Sequence, residues 1–386
     1  MTEDRVRVLW MVKGLGPGGA ERLLAEHASA GDRRAFHYEA AFLLPWKRHL
    51  VPELDALGVR VHCLDVRSEL DPRWLTRLAR LLRRGRFDVV HVHSPSVAAP
   101  VRVLVRLRGR QRPALVYTEH NTWPSYRAAT RIANRLTYRL DDATLAVSED
   151  VRGSVTRRAR PGVEVVVHGI DLARVRAHVP ERDVVRAELG AGADDVLVVT
   201  IANLRAGKAY PDLLAAARLA LDRGLPLRFA AAGQGPLEAE IRAEHARLDL
   251  GDRFRLLGYR EDAARLLSGA DVFALASQHE GLPVAVMEAL ALGVPVVAPA
   301  VGGLREAITS GEDGILVDAG RPQALADAFA AVCDPARRAR LADGARRAGE
   351  RFSSRAAVER VEQLYRQLAD ITGAPARPPR SPRPRR

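Results

Sequence analysis

Short runs of aliphatic and β-branched residues alternate along the chain with longer stretches whose apolar positions recur at helical spacing. The short runs have the length of buried strands, and the longer stretches have the period of amphipathic helices. Strands and helices in regular alternation predict an α/β protein built on parallel sheets. The predicted strands cover residues 6–11, 38–44, 59–64, 89–92, 115–118, 143–147, 164–167, 196–201, 227–232, 254–257, 272–276, 294–298 and 314–317.

The alternation is interrupted around residues 168–192, which divides the chain into two doubly wound units without a recognisable internal repeat. We therefore predict an N-terminal domain over residues 1–167 and a C-terminal domain over residues 168–351. A further helix is predicted over residues 352–372. Residues 373–386 are rich in Pro and Arg, a composition that is typical of a disordered basic tail.

Two carboxylates, Glu280 and Glu288, stand in one of the most apolar stretches of the chain. Between Val284 and Leu304, Glu288 is the only ionisable side chain. A buried carboxylate without a partner costs several kcal/mol, so such a residue normally has a partner or a function. Pro283 suits the first position of a helix, which places Glu280 in a loop and Glu288 on the second helical turn. The N–H groups at that helix start can receive a phosphate.

The same stretch is apolar enough to be mistaken for a membrane span, but it also contains two prolines and three glycines. These residues favour a strand–helix–strand unit of a buried parallel sheet instead. No secretory signal is evident at the N-terminus. Cys63 and Cys333 lie far apart in sequence and have neither disulfide-framework nor metal-site spacing. These features predict a cytoplasmic protein.

The formal net charge of +13 is unevenly distributed along the chain. Residues 71–160 hold 19 Arg and 7 acidic residues, and residues 376–386 hold five Arg and no acid. A regional excess of Arg predicts contact with anionic lipid, on the inner face of the cell membrane, or with a phosphate-bearing acceptor. Aromatic residues make up 5% of the chain, which argues against a base-stacking surface for nucleic acid.

Ligands of doubly wound sheets bind beyond the carboxyl ends of the strands. Arg205 and Lys208 follow one predicted strand, and they can neutralise a diphosphate, the Arg as a planar fork and the Lys as a point charge. Gly233 follows the next strand, where a residue without a side chain lets the backbone approach a ligand. The alternative interpretations are that Arg205 and Lys208 are two solvated cations and that Gly233 belongs to a simple tight turn.

The segment from Ala270 to Gly303 closely resembles the signature of the retaining glycosyltransferases of family 4. It contains their Glu-x7-Glu motif at Glu280 and Glu288. The resemblance covers most of residues 140–320 in order, and it extends over the segments 167–171, 203–208, 258 and 311–317. The N-terminal run at 16–21 is similar to this family more loosely.

This resemblance implies a GT-B fold, in which two Rossmann-like doubly wound domains face each other across a cleft. It implies that the N-terminal domain binds the acceptor and that the C-terminal domain binds a nucleotide-diphosphate sugar, the donor. It further implies that the helix over residues 352–372 returns to the N-terminal domain.

The resemblance also implies a set of donor-binding residues. By matching position, Glu288 would bind the ribose hydroxyls and Glu280 would contact the sugar. Arg205 and Lys208 would hold the diphosphate. The other implied residues are Gly18, Gly19, Asn203, Gly233, Gly281, Leu282 and Pro283, of which the last three would bring backbone to the sugar and phosphate.

Two positions depart from the family pattern. Many members carry Arg where this chain has Asn203, so Arg205 is offset by two positions. His168 stands where Asn is common.

The first predicted strand runs into Gly14-Leu-Gly16-Pro-Gly-Gly19, which matches the Gly-x-Gly-x-x-Gly pattern of dinucleotide sites. That pattern also requires an acidic residue at the end of the second strand, where this chain has Pro45 and Trp46. A glycine loop that faces the donor phosphates or the acceptor is therefore the better interpretation.

His120 lies at the end of a predicted strand, in Thr118-Glu119-His120-Asn121, where family 4 members often have a histidine beside the reaction centre. The resemblance implies a contact between His120 and the sugar or the acceptor. His91 and His93, on the preceding strand, are interpreted as structural residues beneath the cleft. No third ligand is evident that would support a zinc site at this pair.

Arginines recur every four residues along two predicted helices, at Arg127, Arg131, Arg135 and Arg139 and at Arg102, Arg106 and Arg110. Residues at this spacing share one helix face. An apolar face accompanies the first set, at Ala129, Ile132, Leu136 and Leu140. A solvated face and a patch that docks on anionic lipid are both compatible with this pattern.

The sequence therefore predicts a retaining transfer of a sugar from a nucleotide-diphosphate donor to an acceptor hydroxyl, with a lipid-linked acceptor or polysaccharide biosynthesis as the expected context. His120, Arg205, Lys208 and Glu280 are the expected catalytic residues. The resemblance implies no bound metal and no cofactor. A GT-B nucleotide-sugar epimerase or phosphorylase and a non-catalytic nucleotide-sugar-binding protein are the alternatives. Uridine and guanosine donors are both compatible with the sequence.

Overall fold

The computed structural model describes residues 5–16, 18–157 and 159–372, which contain two parallel sheets. The strands of the first sheet are β1 (Val6–Val12), β2 (Phe36–Phe42), β3 (Arg60–Cys63), β4 (Val89–Val92), β5 (Ala114–Glu119), β6 (Ala143–Ala146) and β7 (Val163–Val165). Their order across the sheet is β3-β2-β1-β4-β5-β6-β7.

The second sheet follows the same plan. Its strands are β8 (Val196–Ile201), β9 (Leu227–Ala232), β10 (Phe254–Gly258), β11 (Val272–Ala274), β12 (Val296–Pro299) and β13 (Gly314–Val317). The order is β10-β9-β8-β11-β12-β13. In both sheets the order reverses beside the first strand, and such a reversal opens a ligand-binding crevice at the carboxyl ends of the strands.

Helices connect the strands and cover both sheets. They are α1 (Gly19–Ala30), α2 (Val51–Ala56), α3 (Arg73–Gly85), α4 (Pro95–Arg106), α5 (Ala128–Thr137), α6 (Glu149–Ser154), α7 (Leu172–Arg176), α8 (Arg182–Glu188), α9 (Tyr210–Asp222), α10 (Glu238–Arg247), α11 (Ala263–Ser268), α12 (Val284–Ala291), α13 (Leu304–Ala307), α14 (Pro322–Cys333), α15 (Pro335–Gly349) and α16 (Ser354–Thr372).

The predicted α/β fold with two Rossmann-like units is confirmed, and each predicted strand is present with ends shifted by a few residues at most. The shifts have local causes. β12 begins at Val296 rather than at Val294 because Pro295 has no N–H to donate to a ladder. β11 ends at Ala274, and the chain after it enters the loop that carries Glu280.

The last helix, α16, packs on the first sheet although the chain reaches it only after passing through the second domain. Val361 and Tyr365 join the core that contains Trp10 and Tyr38. Tyr38 donates to Glu362 Oε1 at 2.5 Å, and Trp10 Nε1 donates to the Tyr365 hydroxyl at 3.3 Å. The first sheet therefore has its core completed by the C-terminal end of the described chain.

The chain crosses between the two domains at two neighbouring segments. The Ile170 N–H donates to the Phe352 carbonyl at 2.7 Å, and the Ser354 N–H donates to the Ile170 carbonyl at 3.0 Å. Gly169 lies so close that a Cβ there would collide with the backbone of Ser353. We refer to these hydrogen-bonded segments as the paired crossings.

The predicted arginine stripe on α4 is wrong at two positions, since Arg110 lies beyond the end of this helix and Arg102 is not on the surface. Arg102 is completely buried between α4 and α5, where it forms a forked ion pair with Asp141 and donates to Asn134 Oδ1 at 2.6 Å. Helical spacing alone could not show that α5 covers this face of α4. Arg102 therefore stabilises the packing of the two helices and does not belong to a surface stripe.

The apolar stretch at 284–304 folds as α12 followed by β12, as the sequence predicted. Of the helices that the structure describes, none has the length and apolarity needed to cross a bilayer.

Candidate active site

The loop after β11 carries Glu280 and is positioned by glycines from neighbouring loops. The Gln278 N–H donates to the Gly207 carbonyl at 2.9 Å, and the Gly303 N–H donates to the Gly281 carbonyl at 2.7 Å. Gly302 has φ +53°, and a Cβ there would collide with the Glu280 carbonyl. The Gly302–Gly303 pair is thus required because any side chain would displace the backbone of the Glu280 loop.

Lys208 and Glu280 form an ion pair within this site. Lys208 Nζ lies 2.5 Å from Glu280 Oε1. The Glu280 side chain is 7% exposed and that of Lys208 is 25% exposed, so the pair is shielded yet reachable from the cleft. A cation and a carboxylate that neutralise each other here are chemically suited to bind a phosphate and a hydroxyl group, respectively.

Glu288 lies on α12, the helix that follows the Glu280 loop. It is buried, and within residues 5–16, 18–157 and 159–372 no hydrogen bond or ion pair engages its carboxylate. Burial raises the pKa of Glu288 to about 7, and the positive charges of Arg22 and Arg174 limit the increase. Pro283 precedes α12 as its N-cap residue, one position earlier than expected. Glu288 therefore sits at the second turn, as predicted.

The remaining predicted residues of the second domain lie at the ends of β8 and β9. Arg205 is exposed, and it lies close enough to Glu21 and Lys47 of the first domain to interact electrostatically. The Asn203 carbonyl accepts the Arg205 N–H at 2.9 Å. Gly233 lies against the end of β8, where a Cβ would collide with backbone. These residues border the cleft, with Arg205 at its rim.

A small pocket with about 220 Å³ of open space lies beside these loops. It is lined by Leu204, Ala231, Gly233, Glu238, Ile241, Arg242, Leu256 and Gly258. Its walls are mainly apolar, and it opens at the carboxyl ends of β9 and β10.

The glycines of the first domain lie at the start of α1. Gly18 is the N-cap residue of this helix, and a Cβ there would collide with the Glu21 carboxylate. A Cβ on Gly19 would lie 3.7 Å from Val284 Cγ2 of α12. Pro17 lies outside the described residues. The glycine loop of the first domain therefore approaches the helix that carries Glu288.

His120 belongs to a group of histidines at the floor of the cleft, in which His91 and His93 are buried and His120 and His168 are half-buried. His93 Nδ1 lies 3.1 Å from His120 Nε2, and the rings of His120 and His168 stack at 5.6 Å. His91 is bonded to the Tyr365 hydroxyl at 2.5 Å and to Thr118 Oγ1 at 2.7 Å. His91 thus has the structural contacts expected of it, and His93 supports His120 directly.

Electrostatics keep these imidazoles neutral. Burial lowers the pKa of His120 to about 3, and the charge that His168 could carry lowers it further. Burial likewise lowers the pKa of His168 to about 4. A neutral His120 can accept or donate a hydrogen bond but does not act as a cationic acid near pH 7. In the described part of the chain, no three His, Cys, Asp or Glu residues are grouped so as to hold a metal ion.

The Glu280 loop touches the first domain at His120. A Cβ on Gly281 would collide with the His120 carbonyl, and Leu282 packs against the core of the first domain beside Val147. Lys208, Glu280, the start of α12 and His120 are therefore brought together at one point between the domains.

Other contacts across the cleft were not predicted from the sequence. The Glu306 carboxylate accepts the N–H groups of Glu149 and Asp150, at 2.9 and 2.8 Å, at the start of α6. Glu26 of α1 forms an ion pair with Arg174 of α7. Glu306 follows the double glycine by three residues, but a single sequence cannot show which backbone it reaches.

Glu119, next to His120, was also missed as a functional candidate. Its buried carboxylate accepts hydrogen bonds from Tyr117 and Tyr126, at 2.9 and 2.5 Å, and from Trp123 Nε1 at 2.7 Å. Burial raises the pKa of Glu119 to about 7, although the three donors oppose that increase. Glu119 fixes the turn that presents His120.

Two family models match the chain: Glycosyltransferase Family 4 over residues 17–174 and Glycosyl transferases group 1 over residues 181–348. A D-inositol 3-phosphate glycosyltransferase of Geodermatophilus obscurus is 32% identical over 316 residues, which cover 75% of this chain and 68% of the relative. The UDP-Gal:alpha-D-GlcNAc-diphosphoundecaprenol alpha-1,3-galactosyltransferase of Escherichia coli is 23% identical over 308 residues, which cover 75% and 78% of the two chains. Among solved structures, Anabaena Alr3699/HepE in complex with UDP-glucose has a TM-score of 0.80 at 21% identity, over 94% of this chain and 100% of that chain.

Proposed function

Because the chain belongs to the group 1 glycosyl transferases, we propose that this enzyme moves a sugar from a nucleotide-diphosphate sugar to an acceptor hydroxyl with retention of configuration. The observation that carries the proposal is the Lys208–Glu280 ion pair beside the start of α12 and His120. This arrangement offers a cation and helix N–H groups to a diphosphate, and a carboxylate to a sugar hydroxyl.

Donor binding would separate the ion pair and give each partner a new contact. Lys208 would move to the diphosphate, where Arg205 supplies a second cation from the cleft rim. Glu280 would accept a hydrogen bond from a sugar hydroxyl. Glu288 would bind the ribose hydroxyls, and the base would lie against the mainly apolar walls of the pocket beside Gly233.

The transfer itself can proceed without a protein nucleophile. The bond between the sugar C1 and the diphosphate oxygen breaks, and its electron pair remains on the diphosphate. The acceptor oxygen bonds to C1 on the same face, and its proton passes to a departing phosphate oxygen. Lys208, Arg205 and the N–H groups at the start of α12 stabilise the developing negative charge. Neutral His120 orients the sugar or the acceptor by hydrogen bonding.

The proposed scheme uses no bound metal and no cofactor, which is what the family resemblance implies. Asp141 and Asp195 are ion-paired with Arg102 and Arg228, an arrangement that favours structural roles for them. Contacts across the cleft, such as that between Glu306 and α6, would assemble the site on domain closure and exclude water.

The names of the relatives support a donor and an acceptor class. The Anabaena structure contains UDP-glucose, which supports a uridine donor. The E. coli relative is named for an acceptor on diphosphoundecaprenol, which supports a lipid-linked acceptor in polysaccharide or glycoconjugate biosynthesis. An acceptor of this kind would place the enzyme in the cytoplasm, peripheral on the inner face of the cell membrane.

Nucleotide release from a panel of UDP- and GDP-sugars, measured with and without lipid-diphosphate acceptors, tests the proposal. Lys208→Met and Glu280→Gln should each lower kcat/KM at least about hundredfold, because each removes a charge-assisted contact to the donor. Arg340→Met, at an exposed position of α15, is the control and should leave the rate unchanged.

The product and the metal dependence separate the alternatives. An α-linked product from an α-configured donor, with activity that persists in EDTA, would support retention without a metal. Conversion of the donor to another sugar nucleotide would indicate an epimerase, transfer of the sugar to or from inorganic phosphate would indicate a phosphorylase, and tight donor binding without turnover of any kind would indicate a binding protein. Each of these three outcomes would overturn the proposed function.

A further inference from the structure

The outward face of α5 combines apolar and cationic side chains that nothing in the described structure covers. Ile132 and Leu136 are 60% and 77% exposed. Asn134 and Tyr138 are buried and mark the inward face of the same helical segment. Since residues two positions away from the inward ones point in the opposite direction on a helix, Ile132 and Leu136 point into solvent.

Arginines border this apolar pair. Arg131, Arg135 and Arg139 are exposed, and among residues 5–16, 18–157 and 159–372 no hydrogen bond or ion pair engages their side chains. Residues 127–140 contain no acid. We call Arg131, Ile132, Arg135, Leu136 and Arg139 the α5 face, in which Arg139 belongs to the short 3-10 helix (Tyr138–Leu140) that directly follows α5.

The nearest acidic residues cannot neutralise this face because other arginines already hold them. Asp141 is buried in its ion pair with Arg102, and Asp142 is paired with Arg106 and Arg112 at 3.0 and 2.5 Å. The same ion pairs hold α5 against α4, and they therefore determine the direction in which the α5 face points.

Two further apolar side chains are exposed near the C-terminal end of α4. Val103 is 45% exposed and Leu107 is 80% exposed. The arginines of this region could bind a nucleic acid, but the exposed aliphatic side chains would contribute little to that binding. Aliphatic residues among unpaired arginines match a phospholipid surface, in which the side chains enter the acyl boundary and the guanidinium groups meet the phosphates.

We propose that the α5 face docks the enzyme on the surface of a bilayer rich in anionic phospholipid. The α5 face lies outside the donor site. Its biological use rests on the proposed function, because a lipid-linked acceptor is presented at the surface of a bilayer. α5 follows β5 in the same connection as His120, and a ten-residue helix is about 15 Å long. Docking through α5 would therefore hold the cleft within reach of a lipid headgroup.

Sedimentation of the full-length protein with vesicles tests this proposal. Vesicles of phosphatidylglycerol and phosphatidylcholine in equal parts should bind the protein at low salt, whereas phosphatidylcholine alone should not. Arg131→Gln combined with Arg135→Gln should weaken binding at least about tenfold, since each Arg near an anionic surface contributes roughly a factor of five. Ile132→Ser combined with Leu136→Ser should also weaken binding, because the apolar contact is lost.

Matched controls lie on the other domain. Val179 and Val184 are exposed there by 51% and 61%, and Arg337 and Arg340 are exposed on α15. Serine at the two valines, or glutamine at the two arginines, should leave vesicle binding unchanged. Equal weakening by the α5 variants and these controls would overturn the proposal.

The basic tail is a competing source of vesicle binding, since residues 376–386 contain five Arg. A full-length variant with these arginines replaced by Gln should still bind anionic vesicles through α5. If that variant loses binding while both α5 variants keep it, the α5 face is not the docking site. Loss with the arginine pair but not with the Ile132 and Leu136 pair would also refute docking on lipid.

Donor turnover is measured in parallel to separate this proposal from the proposed function. In the absence of acceptor, the α5 variants should hydrolyse the donor as slowly as the wild type does, because none of the substituted residues lies in the donor site. If wild-type protein binds vesicles but turns over no donor, the glycosyltransferase proposal fails and the docking surface stands. If it turns over donor but ignores anionic vesicles, only the docking surface fails.

Discussion

Replacing Glu288 with Gln is expected to stabilise the free protein above neutral pH. The carboxylate is buried on α12 and has no described partner, and burial raises its pKa from 4.5 to about 7. The folded state therefore resists ionisation at this position, whereas the unfolded chain ionises freely. Gln has nearly the same shape and no charge to bury, so the penalty disappears in the variant.

The size of the effect follows from the rise in pKa from 4.5 to about 7, which corresponds to about 3 kcal/mol. Below pH 4.5 both states keep the proton, and Glu288 adds no pH-dependent penalty. Between pH 4.5 and 7 only the unfolded state releases the proton, so the free energy of unfolding falls as the pH rises. Above pH 7 both states are ionised and the full penalty remains. The penalty is below about 1 kcal/mol at pH 5 and about 3 kcal/mol at pH 8.

Urea denaturation of the wild type and Glu288→Gln at pH 5 and pH 8 measures this difference. The variant should exceed the wild type in unfolding free energy by about 2–3 kcal/mol more at pH 8 than at pH 5. Glu240→Gln, at an exposed position on α10, is the control and should give equal differences at both pH values. Parallel pH dependence of the wild type and Glu288→Gln would refute the reasoning.

Donor binding gives the same substitution a second and independent outcome. If Glu288 binds the ribose hydroxyls, the more stable variant should bind the nucleotide about tenfold or more weakly, since a charged acceptor is replaced by a neutral one. Isothermal titration with the free nucleoside diphosphate measures this affinity. Stabilisation with unchanged affinity would keep the electrostatic reasoning and reject the ribose contact.

Three further substitutions test the packing around the site. Gly302→Ala should unfold at lower urea concentration, by about 1–3 kcal/mol, and lose most activity, because the new Cβ would displace the Glu280 carbonyl; wild-type activity would contradict this. Arg102→Met should lower the unfolding free energy by about 3–5 kcal/mol, because Asp141 is left buried without its partner; a loss below about 1 kcal/mol in urea denaturation would argue otherwise. Glu306→Ala should lower kcat about tenfold with little change in stability, because α6 loses an interdomain acceptor; unchanged steady-state kinetics would count against that role.

The sequence was sufficient for the fold because buried strands and amphipathic helices leave a periodic signal. It also located Glu280 and Glu288, since a charge in an apolar stretch is conspicuous without any structure. The Lys208–Glu280 pair was not predicted, because its residues come from two connections, and they meet only since β8 and β11 are neighbours in the sheet. The resemblance to a known family, rather than the spacing, supplied their roles.

Contacts that depend on the approach of the two domains could not be predicted. Nothing in a single sequence indicates that Glu306 reaches the start of α6, or that Glu26 forms an ion pair with Arg174. The interpretation of Arg102 as a surface residue was wrong for a related reason. Helical periodicity shows which residues share a face but not which neighbouring helix covers that face, and Asp141 lies 39 residues away in sequence.

The paired crossings at Ile170 and Ser353 make the second domain an insertion into the first, with both of its ends at one place. During synthesis, the inserted domain can fold as a continuous unit before α16 has left the ribosome, while the first domain waits for that helix to complete its core. Adjacent ends also make the insertion exchangeable. A related domain could be spliced between these two points without altering the distance that the host must span, which makes the two domains separable units for recombination.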